Sequence, residues 1–175
     1  MKQCLIVVDF QNDFIDGALG FDGAIDIKDA IVTKIQDYKD RGQDVLFTID
    51  THKEDYMETE EGHNLPVIHC VEGTHGHQIQ ADVKRLMEPF DKQFIKYAFP
   101  SLELGTYLRD KDYDEIELCG LVSNICVISN AVIAKSALPN AHIKVDAKAT
   151  ASFDKDMHEK SLDVMSGLHI EVFNR

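Results

Sequence analysis

With 31 acidic against 18 basic residues in a chain of 175, the net charge is −13, and the long-range field repels phosphate backbones and anionic lipid headgroups. Nucleic acid and membrane surfaces are therefore set aside as partners, and no apolar run approaches bilayer length. The length suits one domain spanning residues 1–175, able to bury roughly two thirds of its unfolded surface.

An apolar run begins within three residues of the N-terminus, without the long apolar region and small-residue cleavage site of a signal peptide. Cys4, Cys70, Cys119 and Cys126 lie far apart, which suits free thiols in a reducing cytoplasm.

Along the chain, six short runs rich in Val, Ile, Leu and Phe predict strands: Cys4–Asp9, Asp44–Ile49, Gln93–Ile95, Glu115–Cys119, His142–Asp146 and Ile170–Phe173. Helical patterns separate them. Ile27, Ile31 and Ile35 recur every fourth position ahead of Gly42. Val83, Leu86 and Met87 predict a second helix stopped by Pro89; Leu104, Tyr107 and Leu108 predict a third after Ser101. A fourth is expected from about Asn124 to Ala137 and a fifth from about Asp154 to Ser166. Strand and helix alternate, and several strands are apolar on both faces. The expected fold is a doubly wound, Rossmann-like α/β domain, a six-stranded parallel sheet with helices on both faces. Only residues 51–77 break the rhythm, and they hold five of the eight histidines.

In such sheets ligands bind beyond the carboxyl ends of the strands, so the residues just past each strand are the ones to test. Asp9 and Asp13 follow the first strand, Asp50 and His52 the second, Lys96 and Tyr97 the third, and Gly120 to Cys126 the fourth. Cys126, in "CGLVSNICV", falls in the first turn of an expected helix behind Ser123–Asn124. A helix N-terminus favours the thiolate, the nucleophilic form. Taken alone it reads more readily as a small buried core residue. Lys96 would stand at a sheet end, where a cation can hold a thiolate or carboxylate ionised, or simply be solvated. Asp50, His52, Glu61 and His69 combine carboxylate and imidazole, a set suited to zinc, manganese or iron. His63, His75 and His77 compete for that role, and a histidine-rich loop without metal is the alternative. No phosphate-cradling glycine loop is present, so no nucleotide cofactor is expected, and no G-x-S-x-G elbow occurs.

Five stretches, "LIVVDFQNDF", "DTH", "LPVIHCVEGTHG", "FIKYAFPS" and "CGLVSNICV", stand in order at the expected strand ends. Together they resemble the isochorismatase-like cysteine hydrolase superfamily, and within it the nicotinamidases, over nearly the whole chain. The resemblance implies a triad with Cys126 as nucleophile, Asp9 as general base and Lys96 as the cation between them. It implies an oxyanion hole from the backbone amides of Val122 and Cys126, with a cis peptide at Leu121–Val122. It further implies a divalent metal on Asp50, His52, Glu61 and His69, zinc first and manganese or iron next, that binds a pyridine nitrogen. Phe14, Phe21 and Tyr97 match the aromatic wall. Ser123–Asn124 replaces the Thr-Asp common in the family, and Glu61 or His63 must replace a second metal histidine.

The expected function is that of a cysteine amidohydrolase acting on a small carboxamide, nicotinamide first, through a thioester. A metal-free relative acting on another amide, a carbamoyl compound or a vinyl ether is the alternative. A receiver-like switch with Asp9, Asp13 and Asp50 around Mg²⁺ is a reading of another class, and it leaves Cys126 unexplained. Homo-oligomerisation stays open.

Overall fold

The computed structural model describes all 175 residues. In chain order the elements are β1 (Gln3–Val8), α1 (Lys28–Asp40), β2 (Asp44–Asp50), α2 (Glu60–Asn64), α3 (Ala81–Lys84), β3 (Lys92–Lys96), α4 (Leu102–Arg109), β4 (Glu115–Leu121), α5 (Ile128–Ala137), β5 (His142–Ala151), α6 (Lys155–Gly167) and β6 (Glu171–Phe173).

All six strands run parallel in the order β3-β2-β1-β4-β5-β6. Successive side chains of a strand point to opposite faces, and β1 shows both. Leu5 and Val7 pack with Ile31, Ile35 and Tyr38 of α1 and Val83 of α3. Cys4, Ile6 and Val8 pack with Leu104 and Leu108 of α4, Ala131 and Ala134 of α5, and Leu162 and Met165 of α6. The sheet is thus doubly wound, and its strand order reverses between β1 and β4, which opens a crevice at their carboxyl ends.

Gly120 shapes that crevice. Its φ is +111°, and a Cβ there would lie 2.0 Å from the Val8 carbonyl oxygen, so only glycine lets β4 approach β1 this closely. The pairing of β4 with β5 shifts register across the same point, between Leu118 and Gly120.

The elements depart from expectation in four places. β5 continues to Ala151 rather than ending at Asp146, because Thr150 and Ala151 pair with Gly120 and Leu121 although "AKATA" lacks a strand pattern. The second expected helix contracts to α3, while Leu86 and Met87 still pack on the core from a looser turn. Ser123–Val127 forms a π-helical turn, and the α-helix expected from Asn124 begins only at Ile128. Residues 51–77 hold α2, where Thr59 caps the helix by accepting the Gly62 N–H at 3.0 Å.

Candidate active site

β1 is followed directly by an aspartate, Asp9, whose backbone is left-handed, φ +44°, a conformation that aspartate tolerates better than most side chains. The Asp9 carboxylate is fully buried and accepts a hydrogen bond from Thr48 Oγ1 at 2.7 Å. Its other oxygen lies 2.6 Å from Lys96 Nζ, which reaches across from the end of β3. Lys96 also lies 2.8 Å from Asp50 Oδ1 and 3.5 Å from Cys126 Sγ, and donates to the Ala98 carbonyl at 3.2 Å. One buried ammonium thus joins two buried carboxylates and a buried thiol that come from four separate strand ends.

Burial works against every charge in this group, and the neighbours decide the outcome. For Lys96, burial opposes the ammonium, but Asp9, Cys126 and Asp50 outweigh it and raise its pKa well above the ordinary lysine value. Burial likewise pushes Asp50 up, yet Lys96, His52 and His69 hold it well below the usual carboxylate range. Asp9 goes the other way: burial, reinforced by Asp50, outweighs Lys96 and raises it, making it a ready proton acceptor. Burial also raises the Cys126 thiol, with Lys96 pulling it down and Asp9 and Asp50 adding to the rise. This corrects the sequence reading of a thiolate favoured by a helix N-terminus. Cys126 sits in the π-helical turn, where burial and the two carboxylates raise its pKa and disfavour the thiolate.

Asp50 divides its oxygens between two groups. While Oδ1 meets Lys96, Oδ2 lies 3.2 Å from His52 Nε2 and 3.5 Å from His69 Nε2. Glu61 Oε1, carried by α2, lies 3.7 Å and 3.8 Å from the same two nitrogens. His69 Nδ1 donates to the Val67 carbonyl at 2.7 Å, which turns Nε2 toward the carboxylates. One donor atom each from Asp50, His52 and His69 falls within 4.8 Å of the others. Two imidazoles and one or two carboxylates at this spacing suit a borderline divalent cation. His63 and His75 are exposed, and His77 Nε2 pairs instead with Thr51 Oγ1 at 2.8 Å.

Cys126, Asp50, His52, His69 and Glu61 line one cavity of about 980 Å³, which Phe14 and Tyr97 also border, while Asp9 and Lys96 are buried and do not line it. Phe21 does not line it. Its ring stands behind Phe153, edge-on at 6.3 Å, and Phe153 is the wall residue.

Several supporting residues carry no sequence signal beyond their polarity. The Gln11 amide donates to the Asp50 carbonyl and accepts the Asp50 N–H, both at 2.8 Å, extending the edge of β2 like another strand residue. Asp13 accepts the Cys70 N–H at 2.7 Å and so ties loops together rather than facing the thiol. Asn130 donates to the Cys126 carbonyl at 2.8 Å and to the Phe99 carbonyl at 3.1 Å, and accepts the Ser101 N–H at 3.0 Å, fixing the turn that holds the thiol.

His158 of α6 contacts the fully buried Ser123 Oγ through Nδ1 at 2.8 Å. Burial lowers the His158 pKa from the ordinary 6.5. A depressed folded value means that the unfolded chain binds the proton more readily, so this contribution to stability is full above about pH 6.5 and is lost as pH falls through the lowered value. Denaturation midpoints measured on acidification are expected to fall more steeply for the wild type than for His158→Gln, which cannot titrate. Parallel curves would contradict this.

The family model described as the isochorismatase domain matches residues 3–174. An uncharacterised isochorismatase-family protein PncA of Bacillus subtilis (strain 168) is 30% identical over 174 residues, covering 93% of this chain and 93% of that protein. Among solved structures, the nicotinamidase/pyrazinamidase PncA of Bacillus subtilis superposes with a TM-score of 0.85 at 28% identity, covering 98% of this chain and 99% of the other. Pyrazinamidase of Pyrococcus horikoshii, solved in complex with zinc, superposes with a TM-score of 0.87 at 24% identity over 100% of both chains.

Proposed function

The chain belongs to the isochorismatase family, and from that membership we propose that it is an amidohydrolase that converts nicotinamide to nicotinate and ammonia through a thioester on Cys126. The observation that carries this reading is Lys96 Nζ, 2.6 Å from Asp9 and 3.5 Å from the Sγ of Cys126, which lines a cavity together with the Asp50, His52, His69 and Glu61 donors.

Burial raises the pKa of both Asp9 and Cys126, which favours attack coupled to proton transfer. Sγ adds to the amide carbonyl as its proton passes to Asp9, and Lys96 offsets the charge that remains. The backbone N–H groups of Val122, which the cis peptide Leu121–Val122 precedes, and of Cys126, within the turn that follows, would serve as donors to the developing oxyanion. The tetrahedral adduct collapses, the C–N bond breaks, and ammonia leaves with the proton held by Asp9. Water then adds to the thioester, giving one proton back to Asp9 and from there to the departing sulfur, and nicotinate is released.

Asp50, His52, His69 and Glu61 would hold the divalent cation, which supplies a Lewis-acidic contact for the pyridine nitrogen and so orients the ring. The four cysteines are all unpaired, which suits a reducing cytoplasm.

Ammonia release from nicotinamide, followed after loading with zinc, manganese or iron, tests the reading. Release that a chelator abolishes and metal restores is expected, with about one metal per chain by elemental analysis and none in the His52→Ala, His69→Ala double variant. Metal-loaded protein that leaves nicotinamide intact would contradict the substrate.

A further inference from the structure

The reacting end of the cavity is compact, with Cys126, Asp50, His52 and His69 together, yet its full volume of about 980 Å³ lies at the upper end of pockets that enclose drug-sized ligands. A single-ring carboxamide leaves much of it unfilled. The remaining wall includes Leu19, Leu65, Phe99, Ile125 and Phe153.

Phe153 is the most exposed of these five side chains. It follows β5 and leaves 63% of its surface to solvent, although nothing about its backbone is loose. Ser152 Oγ accepts the Asp154 N–H at 3.1 Å, and Asp154 caps α6 by accepting the Met157 N–H at 3.0 Å. The ring itself is braced edge-on by Phe21, 6.3 Å between centroids with the planes 76° apart. An exposed aromatic ring that lines a cavity and is braced by a second ring offers apolar surface to bury on binding.

Charge narrows the choice of what it binds. Lys53 is the sole lysine or arginine on the wall, against Asp50, Asp55, Glu60 and Glu61, and Lys96 is buried off it between Asp9 and Asp50. A carboxylate would find no partner on this apolar side.

Resting on the amidohydrolase reading above, we propose that Phe153, braced by Phe21, forms a second subsite that takes an uncharged aromatic substituent. The preferred substrate is then a carboxamide larger than one ring.

The test compares kcat/KM for nicotinamide, a phenyl-substituted nicotinamide and a carboxy-substituted nicotinamide, each substituted away from the carboxamide, in the wild type, Phe153→Ala and Phe153→Tyr. The phenyl amide is expected to exceed nicotinamide by about tenfold or more in the wild type, with the carboxy amide the poorest of the three. That phenyl-to-nicotinamide ratio is expected to fall about tenfold in Phe153→Ala, mainly through KM, and to survive in Phe153→Tyr. Nicotinamide turnover without a phenyl advantage, or a ratio unchanged in Phe153→Ala, would overturn the subsite and leave the amidohydrolase intact. A wild type that sediments as a dimer dissolved by Phe153→Asp would overturn it too, since a second copy would then cover the ring. No ammonia from any of the amides would instead overturn the amidohydrolase reading on which the subsite rests.

Discussion

Replacing Cys126 with alanine is expected to lower kcat for ammonia release from nicotinamide by about ten-thousandfold or more, with the fold intact. The residue is 5% exposed and small, so alanine removes the sulfur with little loss of packing. Asp9→Asn is expected to cost about 10²–10⁴-fold, the range that general base catalysis supplies. The two losses should not add, because the proton leaving Cys126 and the proton that Asp9 takes up are the same one. The double variant is expected to match Cys126→Ala alone. Stopped assays on the three variants check this, and a double variant much slower than either single one would mean that Asp9 and Cys126 act independently.

The second large effect is on stability. Lys96→Ala leaves Asp9 and Asp50 buried with no cation between them, 0% and 3% exposed, and losing one partner of a buried ion group typically costs about 3–5 kcal/mol. The sign with pH follows from the carboxylates. Burial already raises Asp9 above the ordinary 3.8, and losing Lys96 pushes Asp9 up further and Asp50 up from its depressed value. A carboxyl whose folded pKa is raised contributes stability below its unfolded value and loses it as pH rises through the folded value. The deficit of Lys96→Ala should therefore shrink on acidification from neutral pH toward about 4. In Asp9→Asn, Lys96→Met, one buried carboxylate and the ammonium are removed together, so this double variant should recover part of the loss. Urea denaturation of chelator-treated protein across that range measures both, and a deficit that is constant with pH would show that lost packing, not stranded charge, causes it.

Much of the fold was legible because a parallel sheet covered on both sides writes itself as apolar runs separated by helical periods. All six strands sit where runs such as "CLIVV" and "DVLFTI" predicted them. Asp9 and Lys96 were legible for a related reason: a charge that closes an apolar run stands out. Phe153 was not, because a lone phenylalanine after "KATAS" carries no period, and only the contact with Phe21, far away in sequence, fixes its ring at the cavity. Gln11, Asn130 and the Ser123–His158 pair escaped notice on the same grounds. Their partners lie on other elements, so their polarity suggested surface while the structure buries them. The acidity of Cys126 was misjudged because helix position is local information, whereas the two carboxylates that oppose the thiolate arrive from β1 and β2.

The central claim is that Cys126 carries the acyl group. The most direct measurement is the mass of the Cys126 peptide after rapid acid quench of metal-loaded wild type during its first turnover of nicotinamide. A nicotinoyl group on Cys126 is the predicted result. Nicotinate formed in that turnover with the acyl group on another residue, or on none, would contradict it.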